Sequence, residues 1–390
     1  MRKWPTIRIA DEFDLQMGKT PARDNPAYWG GGHNWASIAD IARSGMYLSK
    51  TKETISQTAV DESGIKAVPP NTIVMSFKLS IGRTAIATDR MYTNEAIMAF
   101  LPHDVKAFDL HFLYHLFTNR DWSEGCNKAV KGVTLNKATL NASRIPKPDI
   151  LEQRTIAVTL DKLCGLVEKC DGQLKRLDQL VKSRLVEMFG DPIANPKEWP
   201  MSKIGDHLEF LTSGSRGWAK YYSDDGELFI TIKNVKGGKI SLNDVQRVKP
   251  PIGAETERTR VQEGDLLISI TADLGRTGIV SRDLADQGAY INQHLSCVRL
   301  DRKSVEPLFA AFYLESAAGK AQFEKKNQSA VKAGLNFEAI RSLRFYLPPL
   351  ALQRGFAAFV AKVDKLAFAA RQRRDVAKKM YRAKIQEFFG

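Results

Sequence analysis

Leu151-Glu-Gln-Arg154 and Glu187-Met-Phe-Gly190 return as Ala351-Leu-Gln-Arg354 and Glu387-Phe-Phe-Gly390, two hundred residues further along the chain. Aligned without a gap, Gln153, Arg154, Ala157, Lys162, Leu166, Glu187, Phe189 and Gly190 all meet identical residues. A solenoid unit runs roughly 20–50 residues, so a period of this length marks a duplicated module. Between the two ends of the first copy runs an apolar seam: Ile156, Leu160, Leu163, Val167, Cys170, Leu174, Leu177 and Val181. Its spacing alternates four and three, as a helix lying along a partner helix requires. Pro146 and Pro148 exclude helix upstream, Asp149 and Glu152 form a capping box, and Gly190-Asp191-Pro192 is a stop signal. The spacing predicts a helix over 149–190, and about 38 helical residues would reach roughly 55–60 Å.

The second copy keeps the phase through Phe356, Val360, Val363, Ala367, Ala370, Ala377 and Tyr381, with Arg374 as one polar interruption. Pro348-Pro349 opens it, which predicts a second helix over 348–390. Two long helices of matched length and pattern most simply pair antiparallel. The alternative is that each packs on its own globule.

The remaining stretches, 1–148 and 195–347, are related as well. Ser76-Phe-Lys-Leu-Ser-Ile-Gly82-Arg83-Thr84 matches Ser269-Ile-Thr-Ala-Asp-Leu-Gly275-Arg276-Thr277, and Asn94 matches Asn292. Ala129-Val-Lys131 with Leu135-Asn136 matches Ala330-Val-Lys332 with Leu335-Asn336. Each stretch holds β-type runs, such as Thr72–Phe77 and Asp265–Ile270, and one helical run, around 107–119 and 305–325. The chain therefore reads globule, long helix, globule, long helix. The fold class is α+β, with two mixed α/β globules separated by a pair of long antiparallel helices as a coiled-coil spacer in a pseudo-twofold repeat.

Composition sets the outer bounds. The 390 residues carry a net charge of +14, which favours a polyanionic partner, nucleic acid first. Residues 350–390 hold ten Lys/Arg against three Asp/Glu, whereas 150–190 hold seven against six. A solvated helix face explains that excess as well as a partner surface does. No apolar run suits a membrane span, and Met1-Arg-Lys-Trp-Pro shows no signal-peptide core. The four cysteines form no C-x-x-C pair. Free thiols in a reducing cytoplasm are the expectation.

The head of the first globule reads Gly18-Lys-Thr-Pro21, then Asn25-Pro-Ala-Tyr28-Trp29-Gly30-Gly-Gly, then Trp35-Ala-Ser-Ile-Ala-Asp40. The second reads Thr212-Ser-Gly-Ser-Arg216-Gly-Trp218-Ala-Lys220-Tyr221-Tyr222, then Phe229-Ile-Thr-Ile-Lys233-Asn234. With the two Gln-Arg helix starts, in this order over essentially the whole chain, the sequence resembles the specificity subunit of type I restriction–modification systems. The resemblance implies two target recognition domains, 1–148 and 195–347, each reading half of a split site on double-stranded DNA. It implies that the helices, 149–190 and 348–390, set the spacing and bind two methyltransferase subunits. A motor-nuclease subunit joins for cleavage. The subunit itself would be non-catalytic, with S-adenosylmethionine, ATP and Mg expected only on partner subunits. The runner-up is a free-standing two-headed DNA-binding regulator, which needs no methyltransferase.

DNA recognition calls for cations on phosphates and planar or amide groups on base edges. Lys19, Thr20, Arg23, Tyr28, Trp29, His33 and Trp35 cluster in the first globule, with Arg216, Trp218, Lys220, Tyr221 and Tyr222 as the counterpart in the second. Core packing is the competing role for Tyr28, Trp29 and Trp35. A plain turn competes for Lys233 and Asn234. Arg216, between Ser215 and Gly217, suits a base contact best. Lys78, Lys131 and Lys332 are further candidates for DNA. Arg83 and Arg276 recur in both copies, so a structural or phosphate role suits them; different half-sites call for differing residues.

Catalytic patterns fail one by one. Gly18-Lys19-Thr20 resembles the end of a P-loop, but Phe13 stands where the first glycine is needed. Asn195-Pro196-Lys197 is not a methyltransferase motif, and Asp149 with Glu152 reads as a helix cap rather than a nuclease pair. His111 and His115 stand four apart without a metalloprotease Glu, which favours a satisfied pair over a metal site.

Overall fold

Both seams become helices, each of 40 residues: Ile150–Phe189 and Leu350–Phe389. At 1.5 Å per residue each is about 60 Å long. The Asp149 carboxylate accepts the Glu152 amide at 2.8 Å, and Gly190 takes the left-handed φ of 86° that ends the first helix. The computed structural model describes residues 4–78, 80–122, 128–129, 132–133, 135–326 and 334–390, with 128–129 and 132–133 in backbone alone. It divides into two compact units, Met1–Gly172 with Arg371–Gly390, and Gln173–Ala370. Each unit therefore owns one globule and a part of both helices.

The two units repeat one design. In the first, a five-stranded sheet runs Phe13–Met17, Ile97–Pro102, Thr72–Ser76, Thr84–Ala87, Tyr47–Leu48 in spatial order. A three-stranded sheet runs Glu53–Ile55, Trp29–Ala36, Tyr92–Thr93. In the second, a four-stranded sheet runs Leu208–Ser213, Leu295–Leu300, Leu266–Ser269, Thr277–Ile279, and a three-stranded sheet runs Gln246–Val248, Tyr222–Ile230, Ala289–Ile291. A short antiparallel pair closes each globule just before its long helix. Thr6–Arg8 lies on Arg144–Pro146, and Met201–Lys203 on Arg344–Tyr346.

Inside each unit the helices run antiparallel. Asp171 meets Arg374 at 3.2 Å in the first, while Phe189 faces Phe356 with ring centroids 5.8 Å apart in the second. Seam positions Ile156, Leu160, Cys170, Val181, Phe356, Val360, Val363, Ala367, Ala370 and Ala377 are buried; Leu163, Val167, Leu174, Leu177 and Tyr381 are half-buried. The seam also enters the globule cores. Ile156, Ala157, Leu160 and Phe388 join the core of the first globule; Val181, Leu185, Phe189, Phe356, Val360 and Val363 join that of the second. Helix pairing and packing on the globules, posed as alternatives by the sequence, thus coexist, because one helix can spend different stretches of one apolar stripe on different neighbours. Each fully buried aliphatic or aromatic side chain contributes about 1.5–3 kcal/mol. Arg374, the polar interruption, is held by Asp171 and by Asp375, and those hydrogen bonds raise its pKa.

One pair kept identical in the two long helices forms a joint. Gln153 and Gln353 are fully buried. The amide oxygen of Gln153 accepts the Asp109 backbone N–H at 2.8 Å, and its nitrogen donates to the Ala107 and Pro148 carbonyls. Gln353 accepts the Glu306 N–H at 2.9 Å and donates to the Pro348 carbonyl. Each glutamine thus ties the start of its long helix to the helix of its own globule. We expect Gln153→Ala and Gln353→Ala each to cost about 3 kcal/mol, because buried backbone groups lose their partners; chemical denaturation of the purified chain measures this, and a loss under 1 kcal/mol for both, on the scale of a surface change, would refute it.

The Gly-Arg-Thr repeat is a hairpin lock. The Ser76 hydroxyl donates to the Ser80 carbonyl at 2.6 Å and accepts the Arg83 N–H at 3.1 Å; Ser269 does the same to the Asp273 carbonyl and the Arg276 N–H. Gly82 and Gly275 take positive φ of 84° and 74°, and Trp122 and Phe323 cover them. A Cβ at Gly275 would lie 2.2 Å from the Phe323 ring.

Candidate nucleic-acid interface

Gly18 and Gly214 start the surface on which the candidate residues sit. A Cβ on Gly18 would lie 2.2 Å from the Thr93 and Asn94 carbonyl oxygens, and one on Gly214 would lie 2.1 Å from that of Asn292. Only glycine lets the chain cross there, and Asn94 and Asn292 correspond because each side-chain oxygen accepts the N–H two residues on, of Ala96 or His294. Gly214→Ala is expected to destabilise the second unit by about 3 kcal/mol, since rigid backbone lines the contact; an unfolding midpoint within error of the parent would contradict it.

Past Gly18, each candidate at the head of the first globule is held by a hydrogen bond or ring contact within the globule. Arg23 pairs with both oxygens of Glu53, at 2.7 and 3.2 Å, and lies over the Trp29 ring at 3.8 Å and the Trp35 ring at 4.8 Å. The Lys19 ammonium donates to the Ser63 carbonyl, and Thr20 donates to Glu95, whose pKa that bond lowers. The Tyr28 hydroxyl donates to Glu62 at 2.9 Å, His33 meets Gln57 at 3.0 Å, and the Trp29 indole donates to the Ala22 carbonyl at 3.1 Å. In the second globule Arg216 is exposed and donates to Gln293 at 2.7 Å. Lys220 lies 5.0 Å over the Tyr221 ring, and Tyr222 is 47% exposed.

Three candidates are interior residues. Trp35 is 2% exposed and donates to the Lys19 carbonyl. Trp218 is 3% exposed, stacks on Phe229 and donates to Glu255. Asn234 is 4% exposed; its oxygen accepts from Thr231 and its nitrogen donates to the Ser241 carbonyl. For Trp35 and Asn234 the packing and turn alternatives hold, and Trp218, expected at the DNA, is corrected to a core residue, because nothing of these side chains is left for a ligand. Lys233 beside it is exposed. Arg83 is exposed, Arg276 pairs with Asp273, and Lys78 lies 5.3 Å over the Phe77 ring. Lys131 and Lys332 lie outside the described residues.

Two groups were not picked out in the sequence. Arg43, Lys50 and Lys52 rim an open cavity of about 450 Å³ with Asp40 and Tyr47. Their signal was only scattered basic residues around a short strand. Arg247 and Lys249 stand on and just after strand Gln246–Val248, an edge of the three-stranded sheet.

The His111–His115 pair is satisfied by a carboxylate. Asp161 of the first long helix meets His111 Nδ1 at 2.6 Å and His115 Nε2 at 2.8 Å. His115 Nδ1 meets the Tyr381 hydroxyl at 3.1 Å, and His111 Nε2 meets that of Tyr47 at 2.8 Å. Burial holds the His115 pKa below its ordinary value despite Asp161. A depressed histidine is neutral when folded, so its contribution is intact above an unfolded pKa of about 6.5 and is lost as pH falls. The first unit is expected to lose stability between neutral pH and pH 5, with a shallower slope in His115→Gln. Equal slopes in both proteins would count against the assignment.

Residues 1–176 and 196–377 match the family described as type I restriction modification DNA specificity domain. The chain belongs to that family. The two matches to the specificity domain fall one on each globule and its following helix. The type I restriction enzyme MjaIX specificity subunit of Methanocaldococcus jannaschii is 27% identical over an alignment of 264 positions that covers 62% of this chain and 61% of that protein. The EcoBI specificity subunit of Escherichia coli is 20% identical over 327 residues, covering 77% of this chain and 67% of its own. The match thus spans about six-tenths of the first relative. Among solved structures, the type I restriction–modification S subunit from M. genitalium aligns with 100% of this chain and 96% of its own, at a TM-score of 0.60 and 14% identity. That likeness is one of fold. No helix among the described residues is long and apolar enough to cross a membrane.

Proposed function

We propose that this chain is the DNA-sequence-specificity subunit of a type I restriction–modification complex. Each globule reads one half of a bipartite site on double-stranded DNA, and the paired helices set the spacing. The observation that carries this reading is the unequal repeat. Joints such as Gln153/Gln353, Gly18/Gly214 and Ser76/Ser269 are the same in both copies, while the surface residues of the globules differ. A scaffold used twice with different surfaces suits two readers of different half-sites. The net charge of +14 supports a polyanionic ligand.

The helices are also the surfaces for two methyltransferase subunits, with motor-nuclease subunits in the full complex. Arg154, Lys162 and Leu166 are exposed, as are Arg354, Lys362 and Leu366. Their spacing of eight and four puts each trio along one side of its helix. Identity at exposed positions serves no core, so it supports two copies of one partner. The subunit itself is non-catalytic, with S-adenosylmethionine, ATP and Mg on its partners, and it works in the cytoplasm.

The test is co-expression with a type I methyltransferase subunit, followed by genome-wide methylation mapping. A two-part motif with an unread gap is expected, and the chain alone should transfer no methyl group. DNA binding by the lone chain with no methyltransferase retained in pull-down would instead identify a two-headed regulator.

A further inference from the structure

The three-stranded sheets of the two globules share a defect at one topological position. In the first, Trp29 and His33 both pair with Ile55, so Gly30–Gly32 bulge out of the ladder. In the second, Tyr222 and Glu227 both pair with Val248, so residues 223–226, Ser-Asp-Asp-Gly, bulge out. Both bulges lie in the middle strand on the side of its antiparallel neighbour, and both follow a single 3-10 turn, Pro26–Tyr28 or Trp218–Tyr221. Even the bond at the base repeats: the Tyr28 carbonyl accepts the Ser56 N–H, and the Tyr221 carbonyl accepts the Lys249 N–H, each at 3.0 Å. A bulge kept at one place in a duplicated fold is a built feature, because an extra residue opposite one partner disrupts the ladder.

The chemistry at that place is not kept. Gly30, Gly31 and Gly32 are exposed at φ of 84°, 94° and 90°, and a Cβ on Gly30 or Gly32 would meet nothing within 4 Å. That bulge is bare backbone. The other is acidic and fixed from both ends. Asp225 accepts from Ser223 at 2.6 Å and pairs with Lys249 at 2.9 Å, contacts that hold its pKa down to about 2. The Gly226 carbonyl accepts from Arg247 at 2.6 Å. Asp224, at the exposed tip, has no such bond among the described residues.

We propose that these bulges discriminate between half-sites, with Asp224 a specificity-determining residue of the second globule and Gly30–Gly32 its counterpart in the first. The inference rests on the DNA-reading function above. An ionised carboxylate only accepts hydrogen bonds, so against a base edge it selects an exocyclic amino group, that of cytosine or adenine in the major groove. Arg247 and Lys249 flank it as the cations that let an acidic tip approach phosphates. The glycine bulge carries no side chain, so it admits close approach of a groove edge to backbone N–H and C=O groups.

The experiment maps methylation by the complete methyltransferase complex carrying Asp224→Ala or Asp224→Asn. Discrimination at one position of one half-site is expected to fall about tenfold or more, with the other half-site and the gap unchanged. Gly30→Ala is expected to disturb the other half-site only. A parent complex that yields no two-part motif overturns the DNA-reading function and this inference with it. A parent motif that both Asp224 variants reproduce unaltered overturns the inference alone. Should a variant lose all methylation, competition binding of the complex to duplexes varied base by base decides. Weakening confined to one base at one position supports the role, and uniform weakening overturns it.

Discussion

Inserting one heptad into each long helix, after Gly172 and after Gln372, is expected to widen the unread gap of the recognised site by about three base pairs. Seven residues add about 10.5 Å at 1.5 Å each, and B-DNA rises 3.4 Å per base pair. The insertion keeps the seam, because seven residues fall within about 20° of two full turns. Paired insertion matters because the helices run antiparallel, with Asp171 facing Arg374 close to both insertion points. The bases read in each half-site should stay the same. Methylation mapping of the lengthened complex measures both outcomes, and changed half-site bases with an unchanged gap would refute the spacer role.

Leu166→Arg together with Leu366→Arg should abolish methyltransferase binding, and each change alone should leave one bound copy of two. Both leucines are identical across the repeat and exposed, 41% and 55%, so neither is held in place by a core. Burying an arginine charge unpaired in an apolar contact costs several kcal/mol, enough to empty a site of ordinary affinity. Native mass spectrometry of the co-purified complex counts the copies. Two copies retained on the double variant would remove these leucines from the interface.

The sequence was most legible where periodicity or repetition spoke. The seam of Ile156 to Val181 and of Phe356 to Tyr381 gave both helices, because an apolar residue every three or four positions has one physical use. Leu135-Asn136 and Leu335-Asn336 repeat because each asparagine caps a short helix, accepting the Thr139 or Ala339 amide. Burial was harder to read at the candidate interface. Trp35 and Trp218 sit among glycines and lysines and look like loop aromatics, yet both fill small cores beneath the three-stranded sheets. The partners that hide or hold them, Lys19 and Glu255, are 16 and 37 residues away in sequence. The bulges were legible only as composition. Three glycines in a row stand out in the sequence, but nothing in Ser223–Gly226 pointed to the same place, since the match lies in strand register and not in residue type.

One consequence follows from the way each core borrows from both helices. The first globule is made early, but Phe388 is part of its core and Tyr381 and Phe389 pack against it. Residues 173–370 belong to the other unit and leave the ribosome in between. At about 5–20 residues per second that interval is roughly 10–40 s. Throughout it the apolar surface that Phe388 and Phe389 later cover, Phe112 included, stands open, and exposed apolar surface of that kind is what chaperones bind.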